Sequence, residues 1–149
     1  AWKSAQIAKY YCNALLVVES NTLETERCDG DGGEYVLDTI GRFYRNVYCR
    51  PGTCRVGFHT NRETKQKALY DLIAAVRDGT YVEHDAKAVD EMSWYEQKSN
   101  GQWGAMRGKH DDILMTRCIT LKVINDTRRQ QWLARRGGSK DCLLVPTVV

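Results

Sequence analysis

The feature that most constrains the fold of this chain is a short apolar run that stops at an acid. The run Ala14-Leu15-Leu16-Val17-Val18 is followed directly by Glu19. A continuous apolar stretch of this length is typical of a strand that is covered on both faces. It is far shorter than the ~20 apolar residues that span a bilayer. We therefore expect a layered fold around this strand, with Glu19 at the strand's end.

Helical patterns alternate with strand-like stretches along the rest of the chain. Apolar residues recur at helical spacing in several segments, and an Asn-Gly pair between alternating residues predicts a hairpin. Thr60 and Glu63 have capping-box spacing at the start of one helix, which Gly79 ends. The pattern predicts helices over residues 2–12, 35–44, 60–79, 86–92 and 111–124, strands over 14–19 and 47–49, and a hairpin over 94–106. This alternation indicates an α/β architecture.

The length of 149 residues suits one domain. We predict that residues 1–136 form this domain and that residues 137–149 form a C-terminal tail. The 6 cysteines include no Cys-x-x-Cys pair, so reduced thiols are expected rather than a zinc site or disulfides. The acidic stretch from Asp29 to Glu34 lacks the distal glutamate of an EF-hand, so a surface loop is favoured over a calcium site.

A second acidic feature lies far from Glu19 in the sequence. Asp111 and Asp112 open the last predicted helix. A strand end and a helix start can face each other in a layered fold, and a divalent cation with oxygen ligands would neutralise carboxylates that meet there. Adjacent helical residues point about 100° apart, so one aspartate would face Glu19. From the residues alone, both aspartates could instead serve only to stabilise the positive end of the helix.

Three motifs, in this order along the chain, resemble the nuclease domain of bacteriophage terminase large subunits. The first is Val18-Glu19-Ser20-Asn21, a strand followed by an acid. The second is Gly57-Phe58-His59-Thr60-Asn61, followed by Thr64-Lys65, before a long helix. The third is the stretch GKHDDILM from Gly108 to Met115. Together they cover about two-thirds of the chain, from residue 18 to residue 115.

The resemblance implies a ribonuclease H-like fold, with a central mixed sheet flanked by helices. It also implies a metal-dependent endonuclease that cuts concatemeric viral DNA during genome packaging, with two Mg²⁺ or Mn²⁺ ions. Glu19 corresponds to the second acid of the family and Asp112 to its final acid, with Asp111 as the adjacent candidate. The implied partners are double-stranded DNA, the terminase ATPase domain, the small terminase subunit and the portal protein, without a membrane. The implied location is the cytoplasm of the bacterial host.

The chain departs from the family pattern in two ways. Members place another aspartate on an earlier strand, for which this sequence shows no counterpart, and the phosphate loop of the ATPase half is absent. We therefore expect an N-terminally incomplete fragment of a longer motor protein that cleaves DNA poorly alone. The alternatives are a catalytically incomplete fragment that docks DNA or protein, and another ribonuclease H-like nuclease such as a resolvase.

The distribution of charge indicates where DNA would bind. The net charge is only +3, but six basic residues and one acid lie between Lys122 and Lys140. A solvated helix face would look the same. The candidates for DNA contact are Lys109, His110, Arg128 and Arg129. The hairpin aromatics, Trp94, Tyr95 and Trp103, could stack on bases, although packing of the hairpin is the favoured interpretation.

Overall fold

The structure is a computed structural model that describes residues 1–21, 23, 36–53 and 55–137, with the backbone alone for 132–137. The described chain consists of two compact units, one ending at Thr60 and the next beginning at Asn61. The stretch from Asp29 to Glu34 lies outside the described residues, as does the predicted tail beyond Gly137.

The first unit contains two helices, α1 (Trp2–Tyr10) and α2 (Val36–Phe43). Both were predicted from apolar spacing. Ala5 and Ala8 of α1 are buried against Tyr44, which follows α2, and Leu16 and Val47 pack on the same cluster. The Tyr44 hydroxyl donates a hydrogen bond to the Ala14 carbonyl. Small alanine side chains allow this aromatic ring to approach the helix closely, and the apolar run is thereby anchored at its start.

Extended segments in the first unit meet through three isolated bridges. Leu16 pairs with Val47 and Glu19 with Phe58, both in parallel, and Cys49 pairs with Val56 in antiparallel. The predicted strands over 14–19 and 47–49 are therefore extended and bridged, without forming longer ladders among the described residues. The two parallel bridges hold the apolar run and its terminal acid against residues about 30 and 40 positions away. The antiparallel bridge occurs beside them.

Gly57 permits the closest of these approaches. Its backbone has φ +86°, and a Cβ atom built there would lie 2.8 Å from Ser20 Cβ and 2.9 Å from the Val18 carbonyl oxygen. Ser20 is fully buried at 0% exposure. Phe58 donates its N–H to Val18 and accepts from the N–H of Ser20, at 2.7 and 2.8 Å. The strand end that carries Glu19 can form these bonds because residue 57 has no side chain.

The second unit contains three helices and one hairpin. The elements are α3 (Arg62–Arg77), α4 (Ala86–Ser93), β1 (Tyr95–Gln97), β2 (Trp103–Ala105) and α5 (Asp112–Gly137). β1 and β2 pair in antiparallel with Glu96 opposite Gly104, as the Asn-Gly turn predicts. The described chain is thus a small α/β fold of helices and a two-stranded antiparallel sheet. The predicted α/β class is confirmed at this level.

The core of the second unit joins α3 to α5. Apolar residues of both helices are buried together, and the hairpin aromatics Tyr95 and Trp103 pack against them. The buried members are Ala68, Leu69, Leu72, Leu114 and Cys118. Burial raises the pKa of the Cys118 thiol to about 12, so this cysteine is a neutral core residue, as expected for a small hydrophobe.

The predicted boundaries of α3 and α5 were wrong at one end each. The capping box uses Asn61 and Thr64 rather than Thr60 and Glu63, and α3 begins at Arg62. Thr60 stays outside the helix because the Asn21 side chain bonds both its backbone N–H and its carbonyl. α5 continues past the predicted end at Ile124 to Gly137, because residues 125–136 contain no proline or glycine to stop it. None of the described helices has the length and apolarity that a membrane span requires.

A polar network ties the segment between α3 and α4 to α5. The Glu83 carboxylate accepts hydrogen bonds from the Tyr81 hydroxyl and from Arg117 Nε at 2.9 Å. The N–H groups of His84 and Asp85 also donate to it, each at 2.9 Å. The Tyr81 bond and the other donors lower the pKa of Glu83 to about 2. Glu83 is therefore ionised at neutral pH and serves a structural role at the side of α5.

Replacing Gly57 by alanine should destabilise the first unit more than replacing Gly52. Both glycines have positive φ, so each alanine adopts a left-handed backbone at a cost of about 1–2 kcal/mol. Only Gly57→Ala also forces a Cβ against Ser20 and Val18, and such overpacking adds about 1–3 kcal/mol. Urea unfolding followed by circular dichroism measures both losses. Equal losses for the two variants would contradict the close approach at Gly57.

Candidate functional site

The predicted acids are distributed over the two units. Glu19 lies in the first unit, and Asp111 and Asp112 lie in the second, at the start of α5. The Glu19 side chain is exposed, while its backbone is bridged to Phe58. The sequence predicts that Glu19 lies within metal-bridging reach of one of the aspartates. This proximity stays a prediction.

The segment that carries Glu19 is fixed at the side that leads to α3. Asn21 Oδ1 accepts from the Thr60 N–H at 2.7 Å, and Asn21 Nδ2 donates to the Thr60 carbonyl. With the bridge between Glu19 and Phe58, this clamp brings the first two of the three motifs into direct contact. Residues about 40 positions apart are thus held in register, and the backbone of Glu19 has a defined position.

The two adjacent aspartates have different surroundings. Asp111 is partly buried, and its Oδ2 lies 3.2 Å from Lys65 Nζ in a salt bridge. Asp112 is exposed, is the first residue of α5 and takes no part in that ion pair. The positive end of a helix favours ionised carboxylates at both positions. The Asp112 carboxylate is therefore the more accessible of the two for a ligand.

Glu91 lies on α4 and contacts the start of α5, and the sequence analysis did not predict this role. Its side chain is buried on α4, at 7% exposure, and accepts the Leu114 N–H at 2.8 Å. Leu114 is the third residue of α5, whose N–H has no partner within the helix. Glu91 thus caps α5 from a neighbouring helix. One signal was present in the sequence, an acid three positions after Ala88 on the same helical face.

The loop before Asp111 is attached to Trp94. The Trp94 indole N–H donates to the His110 carbonyl at 3.2 Å, and Lys109 Nζ lies 4.4 Å from the centre of its ring. The side chains of Lys109 and His110 are exposed. Tyr95 and Trp103 stack on each other with ring centroids 6.3 Å apart and pack on the core, which is the favoured packing interpretation of the hairpin aromatics.

The basic stretch of α5 contains both paired and exposed side chains. Lys122 forms ion pairs with Asp126 and Asp71 at 2.8 and 3.6 Å. Arg128 and Arg129 are exposed. The two remain the candidates for DNA contact on this helix, whereas Lys122 serves to join α5 to α3.

The chemistry of the predicted donor set fits a hard divalent cation, because carboxylate oxygens are the ligands that Mg²⁺ and Mn²⁺ prefer. Glu19, Asp111 and Asp112 supply such oxygens, and the first and last are exposed. Within the described ranges, no three histidine, cysteine, aspartate or glutamate side chains are grouped so that they could hold a metal.

Comparisons with known proteins identified no relative of this chain. A scan against protein-family models, a search of curated proteins and a search of solved structures each gave no match to the chain. The functional argument therefore depends on the residues and their geometry.

Removing the Glu91 carboxylate should destabilise the start of α5. Glu91→Ala leaves the Leu114 N–H without its acceptor, at a cost of about 1–3 kcal/mol. Glu91→Gln keeps an acceptor oxygen and should lose less. Amide hydrogen exchange at Leu114 and Met115 measures the effect directly, with the exposed neighbour Asp90→Ala as the control. Unchanged exchange at Leu114 in Glu91→Ala would show that this cap contributes nothing.

Proposed function

We propose that this chain is part of the nuclease domain of a phage terminase large subunit, with a ribonuclease H-like fold. The activity is metal-dependent endonucleolytic cleavage of concatemeric double-stranded DNA. The observation that carries the proposal is the parallel bridge between Glu19 and Phe58. It joins two of the three family-like motifs at the strand end where the family places an acid. The neighbouring parallel and antiparallel bridges support the proposal, because a mixed central sheet would contain pairs of both kinds.

The proposed site consists of Glu19 and Asp112, with Asp111 as the adjacent acid. When bound, two Mg²⁺ or Mn²⁺ ions supply an activated water and stabilise the leaving oxygen of the phosphodiester. Glu19 and Asp112 would hold the ions through carboxylate oxygens, and their exposure leaves those oxygens accessible. Lys109 and His110 directly precede the aspartates and are exposed. In the proposed complex they would contact a backbone phosphate, Lys109 as a point charge.

The proposal includes the wider setting that the resemblance implies. The chain would belong to a longer packaging motor in the cytoplasm of a bacterial host. Its partners there would be the ATPase domain, the small terminase subunit and the portal protein. A further aspartate on an earlier strand would complete the acid set.

A second candidate function is docking of DNA or protein without cleavage. The observation in its favour is the ion pair between Lys65 and Asp111, which neutralises one of the two aspartates without any metal. A docking fragment would retain the exposed Arg128 and Arg129 but would not need Glu19. The two candidates therefore differ in how they respond to the loss of one carboxylate.

Replacing Glu19 by glutamine or Asp112 by asparagine should reduce DNA cleavage to background. Each change nearly preserves shape and removes the charge that a divalent cation requires. Asp111→Asn should have a smaller effect. Plasmid nicking with Mg²⁺ or Mn²⁺ is measured on a longer protein that carries the earlier-strand aspartate, and on this chain alone, which we expect to cleave poorly.

Asp90→Asn, an exposed acid of α4, is the matched control for that assay. Full cleavage by the Glu19→Gln protein would refute the proposed mechanism. DNA binding without any cleavage by the longer protein would favour the docking fragment. Cleavage of branched DNA in strong preference to plasmid duplex would favour a resolvase.

Duplex DNA binding should weaken steeply with salt and should depend on the exposed arginines of α5. Each phosphate contact contributes about 0.9 to the slope of log affinity against log salt. Replacing Arg128 and Arg129 together by alanine should reduce that slope by about 1–2. Fluorescence anisotropy at several salt concentrations measures it, with Arg77→Ala on α3 as the control. An unchanged slope in the double variant would remove α5 from the proposed DNA interface.

A further inference from the structure

A tight turn between β2 and α5 presents basic side chains to solvent. We call residues 106–110 the basic turn, and all five are exposed. The Lys109 N–H donates to the Met106 carbonyl at 3.0 Å, which closes the turn, and Gly108 at its third position has φ +78°. A positive φ there is typical of a type II turn, which a glycine forms without strain. Arg107 and Lys109 therefore flank the glycine at the surface of the second unit.

Trp94, which directly follows α4, holds both ends of the basic turn. Its carbonyl accepts the Met106 N–H at 2.9 Å, and its indole N–H donates to the His110 carbonyl at 3.2 Å. Lys109 Nζ lies 4.4 Å from the centre of the indole ring, a distance at which the ring face attracts a cation. One residue thus fixes the backbone of the turn at two points and directs one of its cations.

The charge around the basic turn indicates the kind of partner that it fits. Three cations and one acid lie within residues 94–110: Lys98, Arg107, Lys109 and Glu96. Of the aspartates that follow, Asp111 is neutralised by its ion pair with Lys65, so the local charge stays positive even when Asp112 is included. Exposed cations on a protruding turn favour a polyanion, and duplex DNA carries one negative charge per ~1.7 Å of its axis.

We infer that the basic turn binds the phosphates of duplex DNA, with Arg107 as a further contact and Trp94 as the residue that positions Lys109. The inference rests on the DNA-binding part of the proposed function. Arg107 can donate two parallel N–H groups to one phosphate, whereas Lys109 acts as a point charge. Phosphate contacts carry no sequence information, so binding through the turn is independent of base sequence. Trp94 acts through the turn and does not itself bind DNA.

The salt dependence of duplex binding tests the two cations of the turn. Binding of the 149-residue chain to two short duplexes of unrelated sequence is measured by fluorescence anisotropy at several salt concentrations. Arg107→Ala and Lys109→Ala should each lower the slope of log affinity against log salt by about 0.9, because each removes one phosphate contact. Lys87→Ala, which changes an exposed lysine of α4, is the matched control and should leave the slope unchanged. The two duplexes should bind with equal affinity.

Two variants and an NMR signal test the positioning role of Trp94. Trp94→Leu removes the ring and the N–H, whereas Trp94→Phe keeps an aromatic face for Lys109. Duplex affinity should fall in Trp94→Leu and be largely restored in Trp94→Phe. In the free wild-type protein the indole ring should shift the Lys109 ε-methylene protons upfield, and duplex DNA should move that signal. A wild-type Lys109 signal without any upfield shift, or one that DNA leaves in place, would remove Trp94 from this role.

The outcomes separate this inference from the proposed function. Duplex binding with an unchanged salt slope in both Arg107→Ala and Lys109→Ala would overturn the inference and place DNA binding elsewhere on the chain. Inorganic phosphate that binds at these residues as tightly as a duplex would overturn it as well, because the site would then be one for a free anion. No duplex binding by the wild type would overturn both the inference and the DNA-binding part of the proposed function. A longer protein that binds duplex through the turn without cleaving it would contradict the nuclease and keep the inference.

Discussion

The second unit depends on the start of α5. The hydrogen bond that the Leu114 N–H donates to the Glu91 carboxylate stabilises this helix start. The first N–H groups of a helix have no partner within it, and burial without an acceptor would be costly. Glu91 supplies the acceptor from α4, and Leu114 itself is buried among α3 residues. A carboxylate there also opposes the positive end of the helix. Asp111 and Asp112 precede this contact in the sequence.

The first unit depends on a different constraint, the absence of a side chain at Gly57. The backbone of Val18 and Ser20 approaches so closely that a Cβ atom would have to displace it. Pairing of Phe58 with this strand end then becomes possible, and the Asn21 clamp on Thr60 extends it by two residues. The acid at Glu19 is therefore exposed at the end of a well-bonded segment. An exposed carboxylate on a fixed backbone is what a metal ligand needs.

Much of the local structure followed from the sequence, because apolar spacing and turn chemistry act within a few residues. The helices α1, α2 and α4 and the hairpin over the Asn-Gly turn were predicted from such patterns. The exact cap of α3 was not, since it depends on Asn21 holding Thr60 from about 40 positions away. The end of α5 was missed because residues 125–131 are polar and interrupt the apolar stripe that marks a helix.

The candidate site was predictable in its residue types and unpredictable in its contacts. The paired aspartates and the acid after an apolar run are visible in the sequence. Nothing in the sequence pairs Lys65 with Asp111 or Glu91 with Leu114, because those contacts depend on how α3, α4 and α5 pack. The ion pair with Lys65 distinguishes Asp111 from Asp112. It engages the Asp111 carboxylate and leaves the exposed Asp112 carboxylate accessible.

The proposed function requires that Glu19 and Asp112 together hold a divalent metal ion. The most direct measurement is a crystal structure of the protein soaked in Mn²⁺, with the ion located by its anomalous scattering. We predict an anomalous peak within coordination distance of carboxylate oxygens from both Glu19 and Asp112, with Asp111 still paired to Lys65. Glu19 and Asp112 on opposite sides of the molecule, with no peak at either carboxylate, would contradict the account.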